Sequence, residues 1–369
     1  MANSRIWNVA VVGCGIGRGH LEGYRSHPDG FRVVALCDID EARLAEVGDE
    51  FAVANRTTSF GELLQIDDID IIDICTPPTL HGPQILAALA AGKHVVCEKP
   101  LAGSLAEVDR VIAAEAEAPG RVMPVFQYRF GDGVQKAKRI IDLGIAGRPY
   151  LATVETAWKR GPQYYEMPWR GRLEGARGGV LLSQAIHLHD LLLYLLGPVA
   201  SVFARTATRV NSVEVEDCAV ASLVMQNGAL AALAATLGSQ KEISRLRLCF
   251  EHATFESSLA PYSPGDDPWK VVPASEEIAQ RIGDALGDHR FVRSGFGGLM
   301  GAYHAALAAG GALPVTLADA RPSIELVTAL YHSAATGSAV SLPIAPDHPS
   351  YNGWRSDRWL SATSASYSR

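Results

Sequence analysis

Arg5-Ile6-Trp7-Asn8-Val9-Ala10-Val11-Val12-Gly13-Cys14-Gly15-Ile16-Gly17-Arg18-Gly19-His20 is the stretch whose reading decides the fold. Residues 6–12 read as a strand, and glycines at 13, 15, 17 and 19 follow it at once. Helical sequence runs on to His27 and Pro28, and a second apolar run, 31–37, ends at Asp38. A strand, a glycine turn, a helix, a strand and an acid roughly 20 residues past the glycines make the dinucleotide-binding pattern. The glycines let backbone N–H groups approach a pyrophosphate at a helix N-terminus, and the carboxylate accepts ribose hydroxyls. Gly13, Gly15, Ile16, Gly17 and Asp38 are therefore candidate cofactor residues, and Asp38 favours NAD over NADP. The third glycine of the usual spacing falls on Arg18, so Gly17 or Gly19 is expected to serve in a turn one residue shorter. Arg43 is expected on the solvent side of the following helix.

Further strands fit 70–75, 94–97 and 122–126, with helices such as 84–91 and 105–118 between them. That alternation predicts a parallel, doubly wound sheet with its ligand at the strand C-termini. Cys75-Thr76-Pro77-Pro78 closes one strand, which puts Thr76 and Pro77 in the crevice. The run 94–97 ends in Glu98-Lys99-Pro100. A lone lysine there would ordinarily open a surface loop. Beside a dinucleotide pattern it is a candidate for proton transfer, because a partly buried ammonium shifts its pKa easily.

After Arg129 the pattern changes. A helix over 134–143, a strand over 150–158 and a Gly/Pro/Arg-rich loop lead to a helix over 180–196. Strands follow at 201–208, 217–226, 229–236, 244–250 and 254–256, with Asn227-Gly228 as a tight turn. In the fourth, Leu246, Leu248 and Phe250 alternate with Arg245, Arg247 and Cys249. Residues 229–235 are small and apolar on both faces, which calls for helices on one side and a second subunit on the other. Helices around 297–309 and 319–335 and a Pro/Ser/Trp-rich tail finish the chain. The expected organisation is a Rossmann domain over 1–126 and an α+β domain over 127–369. The second would carry a large, mostly antiparallel open sheet, bind substrate and form a homo-dimer or homo-tetramer.

Ser183, His187, Asp190 and Tyr194 fall on one face of the 180–196 helix. A polar stripe among leucines needs partners, since unpaired polar groups are costly to bury. One reading is a core histidine bonded to Asp190; the other makes His187 a second acid–base group. His189 lies off the stripe and reads as structural or solvent-facing.

The net charge of -7 over 369 residues argues against nucleic acid or anionic membrane as a partner. The 6–17 stretch reads as strand and turn, not a signal-peptide apolar region. The 180–196 helix is interrupted by Ser183, Gln184, His187, His189 and Asp190, so it should not span a bilayer. Six cysteines without metal spacing predict a reduced, cytoplasmic protein with no metal site. Cys14, Cys37, Cys75 and Cys97 read as small packing residues at strand ends.

Several motifs together resemble the glucose–fructose oxidoreductase / inositol dehydrogenase (Gfo/Idh/MocA) family across nearly the whole chain. They are V-V-G-C-G-I-G-R-G-H, the Cys75 to Pro78 run with His81, A-G-K-H-V-V-C-E-K-P, Gln127-Tyr128-Arg129-Phe130, Pro168-Trp169-Arg170 and G-G-V-L-L-S-Q-A-I-H-L-H-D. The resemblance implies that Lys99 is the catalytic lysine and that His187 stands beside the substrate hydroxyl. It puts Trp169 and Arg170 near cofactor or substrate, His81, Glu98 and Gln127 on the cofactor side, and Arg129, Ser183 and Asp190 on the substrate side. The family often has aspartate four residues before the histidine, where this chain has Ser183. A serine cannot act as a carboxylate base, so acid–base work would rest on Lys99 and His187. The implied function is NAD(H)-dependent oxidation or reduction at a secondary hydroxyl of a sugar, sugar derivative or cyclitol. Two alternatives are a redox-neutral glycosidase or lyase that oxidises a sugar transiently, and a non-enzymatic NAD-dependent sensor.

Overall fold

Val9, Ala10 and Val11 are fully buried because their strand lies inside a parallel sheet in the computed structural model, which describes residues 5–354. Six strands make that sheet: β1 (Trp7–Val12), β2 (Phe31–Cys37), β3 (Arg56–Thr57), β4 (Ile71–Ile74), β5 (His94–Cys97) and β6 (Val122–Pro124), in the order β3-β2-β1-β4-β5-β6. The order reverses between β1 and β4, and open sheets of this kind bind ligands beyond the strand carboxyl ends at that switch. Helices Gly17–Arg25, Glu41–Glu50, Pro78–Ala90 and Leu105–Glu117 make the main connections.

The second sheet has eight strands: β7 (Pro149–Lys159), β8 (Val199–Ala207), β9 (Cys218–Met225), β10 (Leu230–Thr236), β11 (Gly238–Phe250), β12 (Ala253–Glu256), β13 (Lys270–Pro273) and β14 (Val340–Ser341). Their order is β13-β12-β11-β7-β10-β9-β8-β14, and only β7 and β10 run parallel. The architecture is thus a Rossmann sheet plus an α+β domain with a mostly antiparallel open sheet. Leu246 and Leu248 are fully buried in β11, as their period of two requires, and helix Ile186–Leu196 packs on β7 and β11. In β10 the alternation is equally clear. Ala231, Leu233 and Ala235 point inward, while Leu230, Ala232 and Ala234 are exposed. Within one chain, 229–235 is therefore covered on one face only.

Packing divides the chain into two compact units. Among the described residues the first runs to Ala102 and takes in Glu107–Gln127 and Gly295–Ala320; the second holds Gly103–Ala106, Tyr128–Ser294 and 321–354. A single cut after residue 126 misses the return of helix Gly295–Ala309 to the first unit. That apolar helix packs on Gly17–Arg25, whose glycines leave room for it: a Cβ on Gly19 would lie 2.9 Å from the Phe296 ring. Among the described residues no single helix is long and apolar enough to cross a membrane. The end of the Pro/Ser/Trp-rich tail, from residue 355, lies outside the described residues.

Candidate functional site

In the first unit the glycine turn stands at the carboxyl end of β1. Gly13 has φ +94°, and a Cβ there would lie 2.5 Å from the Cys75 carbonyl oxygen just past β4. Only glycine lets the two strand ends approach so closely. A Cβ on Gly17 would meet Val11 Cγ1 at 2.9 Å, so Gly17 supplies the close helix–strand packing expected of the third glycine. Arg18, in the usual third-glycine position, turns outward to Glu46 at 2.7 Å and Glu50 at 3.3 Å. Gly15 and Ile16 are exposed, and a Cβ on Gly15 would meet nothing within 4 Å. That open cradle fits a pyrophosphate.

Asp38 follows β2 directly and is only 5% exposed. Its Oδ2 accepts the Cys14 N–H at 2.8 Å and its Oδ1 accepts the Asp40 N–H at 2.9 Å, which orients the carboxylate toward the turn. Arg43 does not lie on the solvent side of its helix. Its guanidinium reaches Asp40 at 2.8 Å and Asp38 at 3.4 Å, because Asp40 caps that helix and draws the arginine back over its first turn. Burial pushes the Cys14 thiol up to about 12 and Cys37 up to about 11, so both are neutral packing groups.

Thr76, Pro77, His81, Glu98 and Lys99 gather at the ends of β4 and β5. Thr76 Oγ1 donates to Gln84 at 2.6 Å, and Pro77 leads into helix Pro78–Ala90. His81 is 1% exposed and lies between two carbonyls, Thr76 O and Pro100 O, each 2.8 Å away. Burial lowers its pKa, so the ring donates to one carbonyl at a time. The Nδ1–H tautomer ties His81 to the β5 loop at Pro100, and the Nε2–H tautomer bonds Thr76 within the β4 loop. Glu98 is 4% exposed, and its Oε2 accepts the Lys99 backbone N–H at 3.0 Å. Gln127 opens the short turn Gln127–Arg129 and keeps a buried Oε1 with no protein partner, which suits a ligand donor.

In the second unit, the helix expected over 180–196 is broken. Val180–Ser183 and Ile186–Leu196 are separate helices, and Leu173–Ser183 is bent from Ile186–Leu196 by 46°. The buried Glu216 anchors the start of the first. Its carboxylate accepts N–H bonds from Gly179 and Leu181, both at 3.0 Å, and the Tyr331 hydroxyl at 2.9 Å. Its own carbonyl accepts from Val180 N–H at 2.9 Å. Burial pushes the carboxyl up to about 7 against those three donors. Ser183 therefore does not continue the stripe of His187 and Asp190. It lines a shallow cleft with Tyr164, Trp169, Arg170 and Gln184. The Arg170 guanidinium lies 4.1 Å from the Tyr164 ring centroid and 5.2 Å from that of Trp169.

His187 is 3% exposed and stacks on Tyr128, centroids 4.2 Å apart. Arg129 and Asp190 form a bidentate buried pair, Nε to Oδ2 at 2.8 Å and Nη2 to Oδ1 at 2.6 Å. The pair fastens Arg129 to the histidine-bearing helix. Tyr194 extends it, its ring centroid 4.7 Å from the Arg129 guanidinium carbon.

Sequence reasoning passed over Gln184, which is 4% exposed, donates from Nε2 to the Tyr164 hydroxyl at 2.8 Å and has no partner for Oε1. It also passed over Glu216, whose partners lie over 30 residues away in the chain, at Gly179 and Leu181. His189 is not solvent-facing. It is fully buried, neither ring nitrogen has a partner, and burial lowers its pKa to about 3. An unfolded histidine takes a proton below about pH 6.5 while this one stays neutral, so stability is full above that value and is lost as pH falls toward 3. The complete loss amounts to about 4–5 kcal/mol. His189→Leu should remove it, and urea midpoints at a series of pH values from 7 down to 4 will then fall less steeply than in wild type. Parallel curves for the two proteins would rule the assignment out.

With this geometry in hand, comparison with known proteins gives a consistent result. Residues 7–126 match the model of the GFO/IDH/MocA oxidoreductase family's NAD-binding Rossmann fold, and 134–256 match that family's C-terminal domain. The WlbA dehydrogenase of Bordetella pertussis, solved with NADH and UDP-GlcNAcA, superposes with a TM-score of 0.81 at 29% identity over 92% of this chain and 100% of that one. A myo-inositol 2-dehydrogenase of Thermotoga maritima is 29% identical over 60% of this chain and 66% of its own length. A levoglucosan dehydrogenase of Pseudarthrobacter phenanthrenivorans is 32% identical over 54% of each. The chain thus spans under two thirds of the length of these curated relatives. By both domains, the chain belongs to the GFO/IDH/MocA oxidoreductase family, and its first unit is the family's NAD-binding Rossmann fold.

Proposed function

We propose that the protein is an NAD-dependent dehydrogenase acting on a secondary hydroxyl of a sugar, sugar derivative or cyclitol. One observation carries the reading: Lys99 lies two residues past the end of β5, on the same strand-end edge as the glycine turn and Asp38. Gly13, Gly15, Ile16 and Gly17 would cradle the pyrophosphate, and Asp38 would take the ribose hydroxyls. Thr76, Pro77, His81, Glu98 and Gln127 would complete the cofactor side, together with Trp169 and Arg170. Bound NAD supplies the acceptor for hydride. Lys99 takes the hydroxyl proton or shares it with His187, and Ser183 offers a neutral hydrogen bond where relatives often carry a carboxylate. Arg129 and Asp190 set the position of His187. The relatives named for inositol and levoglucosan support a polyol or sugar substrate. A screen of pyranoses, sugar acids and inositols with NAD tests the reading; no NADH from any member, with cofactor bound, would count against it.

The exposed face of the second sheet makes the active form a homo-oligomer in this account. Leu151, Leu230 and Val224 are neighbours across β7, β10 and β9, and are 42%, 54% and 39% exposed. Val220 and Phe203 extend the patch at 57% and 38%. Such a face is an aggregation liability unless a partner covers it. A second copy should bury upwards of about 1,200 Å² in total. Light scattering of the wild type should give at least twice 39.4 kDa, and Leu230→Asp should lower the mass. A wild-type monomer at micromolar concentration would sink the idea.

A further inference from the structure

His20 lies in helix Gly17–Arg25, three residues beyond Gly17, and is fully buried. Its Nδ1 is 2.8 Å from Asp73 Oδ2, in β4, and its Nε2 is 3.1 Å from Glu98 Oε1, just past β5. Asp73 is also fully buried. A neutral imidazole has one N–H and could donate to only one of these carboxylates. An imidazolium donates to both and places a cation between two buried acids.

We propose that His20 is a positioning residue for Lys99, joining the helix of the glycine turn to the end of β5 through the side chain of Glu98. The inference rests on the reading of Lys99 as the proton acceptor. Glu98 spans the connection, with Oε1 on His20 and Oε2 on the Lys99 backbone N–H. The turn that receives the cofactor and the residue that takes the proton are thereby held in one register. Burial opposes charge on His20, but Asp73 and the surrounding acids outweigh it and raise its pKa well above the ordinary value. The other groups that face the ring are the Cys75 thiol, 3.5 Å from Nδ1, and Phe296, whose ring centroid is 4.4 Å away. Tyr24, on the same helix, adds a hydroxyl near Asp73.

If His20 is lost, Asp73 and Glu98 each lose the ring nitrogen that faces them. The hold on Lys99 and the charge around it change together. Competitive trace acetylation of Lys99 over pH 7–11, read by mass spectrometry on the full chain, follows this without any substrate. His20→Gln and Glu98→Gln should each change the Lys99 labelling profile at least about threefold at a given pH, and the double variant should change it no further. A folded His20→Gln protein with a lowered Tm and an unchanged Lys99 profile would overturn the proposal, since that is what a purely structural histidine gives. Should His20→Gln not fold, ring-nitrogen NMR of wild type and Asp73→Asn decides. Both His20 ring nitrogens should carry protons at pH 7, and Asp73→Asn should lower the pH at which one is lost. A single ring proton in the wild type, or a metal ion held by His20, Asp73 and Cys75, would contradict it. A sugar screen without turnover would remove the dehydrogenase reading while leaving the labelling and NMR results to stand or fall alone.

Discussion

Lys99→Met should bind NADH almost as wild type does and lose about 10²- to 10⁴-fold in kcat, the usual share of general acid–base assistance. The reason is local. Methionine keeps the length and apolar stem of the side chain but cannot accept a proton, and the cradle of Gly13, Gly15 and Gly17 is untouched. Glu98 would still accept the backbone N–H at position 99, because a side-chain substitution does not remove it. Fluorescence titration with NADH and steady-state kinetics on the best sugar of the screen separate the two effects. Retention of more than about a tenth of the wild-type rate would show that Lys99 is not the proton acceptor.

Asp190→Ala should have the largest effect on stability. It removes one partner of a bidentate pair whose side chains are 5% and 1% exposed, and takes from the buried Arg129 guanidinium its bidentate carboxylate. Breaking a buried pair from one side costs about 3–5 kcal/mol, far more than the net worth of the pair. Replacing both, as Arg129→Met with Asp190→Leu, should recover much of that loss, because no charge is then left buried. Urea unfolding of the three variants measures it. A loss below about 1 kcal/mol in Asp190→Ala would mean that the pair behaves as an exposed one. Turnover should fall in the single variant as well, since His187 lies one turn before Asp190 on the same helix.

The sequence made the first unit easy to read where chemistry and strand end coincide. β2 ends at Cys37, just before Asp38, and β5 at Cys97, just before Glu98, and in both the change from apolar to charged residues marks the boundary. Helix Glu276–Leu286, in the second unit, was passed over although its signal is local: Ser275 caps it by accepting the Ile278 N–H, and Glu276 and Glu277 occupy its first turn. The break between Ser183 and Ile186 has no such signal. Periodicity sees leucines at helical spacing across 180–196, whereas the turn is fixed from Glu216, remote in sequence. Arg129 and Asp190 were placed on the substrate side by resemblance alone, and their choice of each other is a tertiary event. His20 and His189 look alike as isolated histidines. Two carboxylates surround the first and none the second, and only the packed chain shows it.

The central claim is net hydride transfer to NAD, and the stoichiometry of a single reaction tests it most directly. Wild-type protein, excess NAD and the best substrate of the screen should yield one NADH for each carbonyl formed, with Lys99→Met yielding neither at a comparable rate. Consumption of the sugar with cofactor retained on the protein and no net NADH would contradict the account and identify a redox-neutral reaction instead.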